Sequence, residues 1–295
     1  MTVAAADIPV LDTIRALAPR YPAWLVDIWG VMHNGHRAFP GAVAATRAFR
    51  HEGGIVVLLS NSPRPSPSVK DQLRRLGVPD DAYDATVTSG DLTRHELKKH
   101  KGATVFHLGP ERDRPIFAGI DVTLGKPEQS DLIVCSGLFD DETETPEDYA
   151  ELLAALAARK LPMICANPDR LVERGDRLVW CAGALAAAYE KAGGAVVYAG
   201  KPYPPIYALA CETIAALAGR PVPKSDILAI GDGVHTDIAG AAEAGIASLF
   251  IASGLHVPAN SGGEAGASGL DASHLDRLFA QANPRPIAAM RALAW

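Results

Sequence analysis

Cysteine is scarce in this 295-residue sequence: Cys135, Cys165, Cys181 and Cys211 stand far apart, with no Cys-x-x-Cys pair. That spacing argues against a disulfide framework or a structural zinc centre. Dense runs of Lys or Arg are also missing, and 28 basic against 34 acidic side chains leave a formal charge of -6. Such a balance gives no electrostatic footprint for nucleic acid or for an anionic membrane. No apolar run approaches the length of a bilayer span, and the first residues lack the basic start and apolar stretch of a leader, so a cytoplasmic location is expected. Met and aromatic residues, the latter 6% of the chain, form no stripe that would suggest a cofactor, and no fixed-period repeat occurs. Apolar residues, in contrast, make up 48% of the sequence, enough to bury the cores of two modest domains.

The chain is organised around Ala23-Trp-Leu-Val-Asp-Ile-Trp-Gly-Val-Met32, a short apolar run that ends in Asp27 and is followed by Gly30. Such a run reads as a buried strand with the acid at its carboxyl end. In open α/β sheets that is the edge where ligands bind. Asn34-Gly35 marks a tight turn. A helix is expected from Pro40 to about Arg50, a strand at Gly54 to Leu59 tipped by Ser60-Asn61-Ser62, and a helix from Ser66 to Leu76. Strand and helix patterns continue from Thr104 to Gly109, Asp131 to Ser136, Pro146 to Arg159 and Leu161 to Ala166. The stretch from Asn167 to Trp180 is charged and reads as a loop, and an alanine-rich helix follows near Gly183 to Lys191. The first style of unit then returns, with strands at Ala195 to Lys201, Asp226 to Asp232 and Ala247 to Ala252. Helices fall between them, and Ser261 to Gly269 reads as a small polar loop. Alternating units of this kind favour right-handed crossovers and a doubly wound parallel sheet.

Four strand tips present polar groups: Asp27, Ser60-Asn61, Gly200-Lys201 and Gly231-Asp232, with Asp237 five residues beyond the last acid. Brought together they supply carboxylates for a hard cation, a hydroxyl and amides for phosphate oxygens, and one ammonium. Mg²⁺ prefers oxygen ligands and keeps several waters, so a site of few carboxylates suits it. Phosphoryl transfer needs little beyond positioning and charge neutralisation.

These residues resemble the haloacid dehalogenase (HAD) superfamily, in its class IIA, NagD-like branch of sugar and nucleotide phosphatases. The matching motifs are Asp27-Ile-Trp-Gly-Val31, Leu58-Leu-Ser-Asn61, Gly200-Lys-Pro202 and Gly231-Asp232 through Asp237, in the family's order. Asn167-Pro-Asp169 and Cys181-Ala-Gly-Ala-Leu185 are similar to the pattern of NagD-like caps. The resemblance runs from about Ala23 to Gly254. It implies a Rossmann-like core at residues 1–100 and 195–295, with an inserted α/β cap of the C2 type at 101–194. It also implies that Asp27 is a nucleophile forming an aspartyl phosphate. Mg²⁺ would be held by Asp27, the Trp29 carbonyl, Asp232 and Asp237, and phosphoryl oxygens by Ser60, amides around Asn61, and Lys201. Asn167 and Asp169 would face a small phosphorylated metabolite such as a sugar phosphate or nucleotide monophosphate. Caps of this branch often join two copies into a homodimer.

The sequence departs from the family at Trp29, where the pattern has a second aspartate serving as general acid and base. Indole cannot shuttle a proton near neutral pH. Histidine is a residue type that can move protons near neutral pH, but His33, His36 and His235 stand elsewhere in the sequence. The leading expectation is a Mg²⁺-dependent phosphatase; competing with it are a phosphoryl-ligand binder of low or no activity and a phosphotransferase. Each motif also has a plainer reading. Ser60-Asn61 can begin a turn, Asp237 can cap a helix starting at Ile238, Lys201 can be a solvated lysine, and Trp29 can simply pack.

Overall fold

The computed structural model describes residues 8–174, 177–252, 270, 272–279 and 284–295; the sequence-predicted loop at Ser261 to Gly269 lies outside them. In chain order the strands are β1 (Ala23–Asp27), β2 (Ile55–Ser60), β3 (Ala85–Thr88), β4 (Thr104–Leu108), β5 (Thr123–Leu124), β6 (Leu132–Cys135) and β7 (Pro162–Cys165). They continue with β8 (Leu171–Arg174), β9 (Arg177–Trp180), β10 (Ala195–Tyr198), β11 (Ile227–Gly231), β12 (Ala247–Ile251) and β13 (Ala288–Met290). The chain divides into two compact units, Met1–Leu59 with Leu73–Thr86 and Ala210–Trp295, and Ser60–Gln72 with Val87–Leu209. This is a parallel-sheet α/β fold of the Rossmann-like kind.

The first sheet has the order β13-β12-β11-β1-β2-β3. β1 lies parallel to both β11 and β2, with Ala23 opposite Ile227 on one side and Ile55 on the other. All five residues of β1 and of β11 are buried, as expected of strands covered on both faces. Trp24 stacks on Phe49 of the helix Pro40–His51, with ring centroids 3.6 Å apart and planes 3° from parallel. Two large rings buried there contribute about 2 to 3 kcal/mol each.

The second sheet has the order β10-β7-β6-β4-β5, and its described pairings are parallel. Its core gathers Phe106, Leu108, Ile133, Met163, Leu153, Leu156, Leu185 and Tyr189 from β4, β6, β7 and the helices Ala150–Ala158 and Ala182–Lys191. The buried Tyr189 hydroxyl donates to the Leu161 carbonyl at 2.7 Å, so the ring adds packing without leaving an orphaned polar group.

Three readings of the sequence are corrected. The charged stretch from Asn167 to Trp180 is not simply a loop: β8 and β9 pair antiparallel within it, Leu171 opposite Trp180 and Arg174 opposite Arg177. A hairpin needs only alternation and a turn, so its high charge does not preclude strands. The strand at Ala195–Tyr198 does not return to the first sheet but pairs with Pro162–Cys165 of β7. Finally, a helix does follow, at Ala239–Glu243, but Asp237 does not cap it. A π-helical turn begins earlier, at Val234–Ile238, with Gly233 in the cap position. Unread in the sequence were β3 and the helix Ser89–Leu97, although Thr88 and Asp91 form a full capping box there.

Candidate active site

In the first sheet the chain leaves β1 toward β2 and leaves β11 toward β12, in opposite directions. The strands therefore diverge between β1 and β11, and the crevice beyond such a switch point is where open α/β sheets bind ligands. Asp27 is the last residue of β1 and Asp232 the first after β11. Asp27, Asp232 and Asp237 each offer a carboxylate oxygen lying within 4.8 Å of the others. Asp27 and Asp237 are buried, and Asp232 is half-buried.

Local backbone chemistry holds Asp237 in that group. Its Oδ2 accepts the Gly233 N–H at 3.0 Å, reaching back four residues inside the π turn. The close approach requires glycine on both sides of Asp232. A Cβ on Gly231 would collide with the Asp237 side chain, and one on Gly233 would lie 2.9 Å from Asp237 Oδ2. Gly-Asp-Gly is thus a steric condition for the cluster.

Trp29 is half-buried, and its indole packs over Gly35, where a Cβ would fall 2.6 Å from the ring. Gly35 also has φ +87°, a conformation glycine adopts without strain. The Ile28 carbonyl accepts the N–H groups of Met32 and His33, at 2.9 and 3.2 Å. No donor among the described residues bonds the Trp29 carbonyl. A carbonyl oxygen left without a donor two residues after Asp27, together with the three carboxylates, is a donor set that fits a hard cation such as Mg²⁺, which takes oxygen ligands. Of the three histidines, His36 and His235 are exposed, while His33 is buried, edge-on to Trp29, and its Nδ1 accepts the Gly35 N–H at 3.0 Å.

The other sequence-predicted groups belong to the second unit. Leu59, the register partner of Asp27, is followed by Ser60, whose buried Oγ accepts the Ser62 N–H at 3.1 Å. Ser60 therefore does begin a turn. Asn61 joins segments distant in sequence. Its Nδ2 donates to Asp169 Oδ1 at 2.8 Å and to the Lys201 carbonyl at 3.0 Å, while its Oδ1 accepts the Lys201 N–H at 2.7 Å. Its side chain is consequently a positioning group. Ser89, absent from the sequence reading, adds a bond from its Oγ to the same oxygen at 3.4 Å. Gly200 is packed so closely that a Cβ there would meet Asn61 Oδ1 and Pro168 Cδ at 2.6 Å. Lys201 is only 3% exposed and so is not a solvated lysine. Buried Asn167 accepts the Asp169 N–H at 3.0 Å, shaping the Asn-Pro-Asp turn.

Three carboxylates gathered at the switch point of a parallel α/β sheet form a candidate metal centre in a fold of the α/β class. Residues 24–123 match the haloacid dehalogenase-like hydrolase family, and residues 198–270 match a second, HAD-hydrolase-like, family. A haloacid dehalogenase-like hydrolase from Brucella suis 1330 is 45% identical, with 96% of this chain and all of that one covered and a TM-score of 0.83. The chain belongs to the haloacid dehalogenase-like hydrolase family. Ribonucleotide monophosphatase NagD of Escherichia coli K12 is 29% identical, covering 78% of this chain and 87% of its own. A glycerol phosphate phosphatase from Mycobacterium tuberculosis, solved in complex with calcium, is 26% identical with a TM-score of 0.62, covering 80% of this chain and 67% of that one. No helix among the described residues is long and apolar enough to cross a membrane.

Proposed function

We propose that this hydrolase cleaves the phosphate monoester of a small metabolite through an aspartyl phosphate on Asp27. The observation that carries the reading is the cluster of Asp27, Asp232 and Asp237 within 4.8 Å at the carboxyl edge of β1 and β11. These three and the Trp29 carbonyl would hold Mg²⁺. When bound, the ion would neutralise the anionic phosphate and let a carboxylate approach it.

One Asp27 carboxylate oxygen attacks phosphorus; the ester P–O bond breaks, and the alcohol oxygen departs with the bonding pair, taking a proton from water. A water oxygen then attacks the same phosphorus, the acyl-phosphate bond breaks, and inorganic phosphate and the Asp27 carboxylate are released. Ser60 and Lys201 bind phosphoryl oxygens, a role supported by their match to the family motifs. Asn61 fixes the backbone of Lys201, and the backbone amides around Asn61 complete the set. Asn167 and Asp169, with residues 101–194 as the cap, select the substrate, a sugar phosphate or nucleotide monophosphate. Trp29 stands where a proton donor would assist departure, so substrates with weakly basic leaving groups are favoured. A non-catalytic binder finds no support among the relatives, of which those from Escherichia coli and Mycobacterium tuberculosis are named as phosphatases.

The test is Mg²⁺-dependent phosphate release from 4-nitrophenyl phosphate and from a panel of phosphorylated metabolites, with Asp27→Asn alongside. Turnover by the native chain and none by the variant is expected; equal rates would overturn the reading.

A further inference from the structure

The second sheet has a switch point of its own. The chain leaves β4 toward β5 and leaves β6 toward β7 in opposite directions, so the strands diverge between β4 and β6. A cavity of about 350 Å³ opens beside them, lined by Gly109, Pro110 and Arg114 after β4, Leu124 and Lys126 at and after β5, and Phe139 after β6, among others. The volume falls at the small end of ligand pockets. None of the residues assigned above to phosphate or metal lines it.

Its chemistry is specific. His107, which also lines it, is bonded through Nε2 to Ser136 Oγ at 2.9 Å. Nδ1 makes no hydrogen bond among the described residues. Arg114 is paired with Glu111 at 2.7 Å, whereas the Lys126 ammonium has no ion pair among the described residues. Leu124 and Phe139 are 40% and 46% exposed, an apolar wall open to solvent.

We propose that this cavity is a second ligand site, for a small hydroxylated aromatic carboxylate. The ring lies against Leu124 and Phe139, the carboxylate meets Lys126, and the hydroxyl pairs with His107 Nδ1, which it can serve as donor or acceptor. Lys126, without an ion pair among the described residues, matches one negative charge, and the hydroxyl answers the ring nitrogen of His107 that no described residue bonds.

Fluorescence titration of the intact protein with 6-hydroxy-2-naphthoate tests this, with 2-naphthoate and 2-naphthol as probes lacking one group each. Saturable binding at one site is expected, weakened about fivefold for either truncated probe and by Lys126→Gln, as for a partly exposed ion pair or hydrogen bond. Phe139→Ala, at an exposed position that leaves the core intact, weakens it further. Absence of saturation, binding unchanged in both variants, or displacement by inorganic phosphate with Mg²⁺ would each overturn the proposal.

Discussion

Lys201 is held by Asn61 through both of its main-chain polar groups, the N–H at 2.7 Å and the carbonyl at 3.0 Å, across 140 positions of sequence. One amide side chain thus satisfies a donor and an acceptor that burial would otherwise leave costly. Asn61→Ala removes both bonds and the one to Asp169. The expected result is a stability loss of about 2 to 3 kcal/mol in urea unfolding. A raised KM for phosphate esters at temperatures where the variant stays folded accompanies it. Asn61→Asp keeps the acceptor but sets an oxygen against Asp169 Oδ1 and the Lys201 carbonyl, so it should cost at least as much as the alanine.

Gly231→Ala places a methyl group against the Asp237 side chain. Asp237 has to withdraw, so Mg²⁺ affinity should fall by about 10- to 100-fold, the usual cost of disturbing groups that orient metal ligands. The Mg²⁺ concentration for half-maximal rate, and calorimetric titration of the ion, measure it. An unchanged Mg²⁺ dependence would remove Asp237 from the ligand set.

Trp29→Asp tests the proposal that this position lacks a proton donor for the leaving group. On alkyl phosphates, whose leaving groups need a proton, the rate should rise toward the roughly 100- to 10,000-fold that a positioned acid contributes. On 4-nitrophenyl phosphate the gain should be small. A ratio of the two rates unchanged by the substitution would mean that another group already moves the proton.

Burial, with Arg114 nearby, holds His107 down to about 4 from an ordinary 6.5. The unfolded chain takes up this proton below pH 6.5 and the folded one does not, so the contribution is complete above that pH and is lost as pH falls toward 4. The loss amounts to at most about 3 kcal/mol. Urea unfolding of native protein and His107→Gln between pH 4 and 7 should show a shallower pH dependence for the variant.

The carboxylate cluster was legible in the sequence because each acid marks a feature that one stretch of chain displays: Asp27 and Asp232 end apolar strands, and Asp237 follows at a fixed spacing. The work of Asn61 was not, since nothing near it in sequence announces Asp169 or Lys201 as its partners. The β8–β9 hairpin was obscured by charge, although Leu171-Val and Leu178-Val-Trp sit on either side of a Gly-Asp turn signal. Burial of Lys201 likewise comes from tertiary packing. The capping box of Thr88 and Asp91, in contrast, is local, displayed by four consecutive residues.

The pairing of Ala23 with Ile227 has a kinetic corollary. The central strand of the first sheet acquires one of its two neighbours only after about two hundred intervening residues have been made, and the loop closure this requires is entropically slow. Contacts of such long sequence separation are expected late on the folding route. Substitutions at the β1–β11 seam should therefore accelerate unfolding more than they retard refolding.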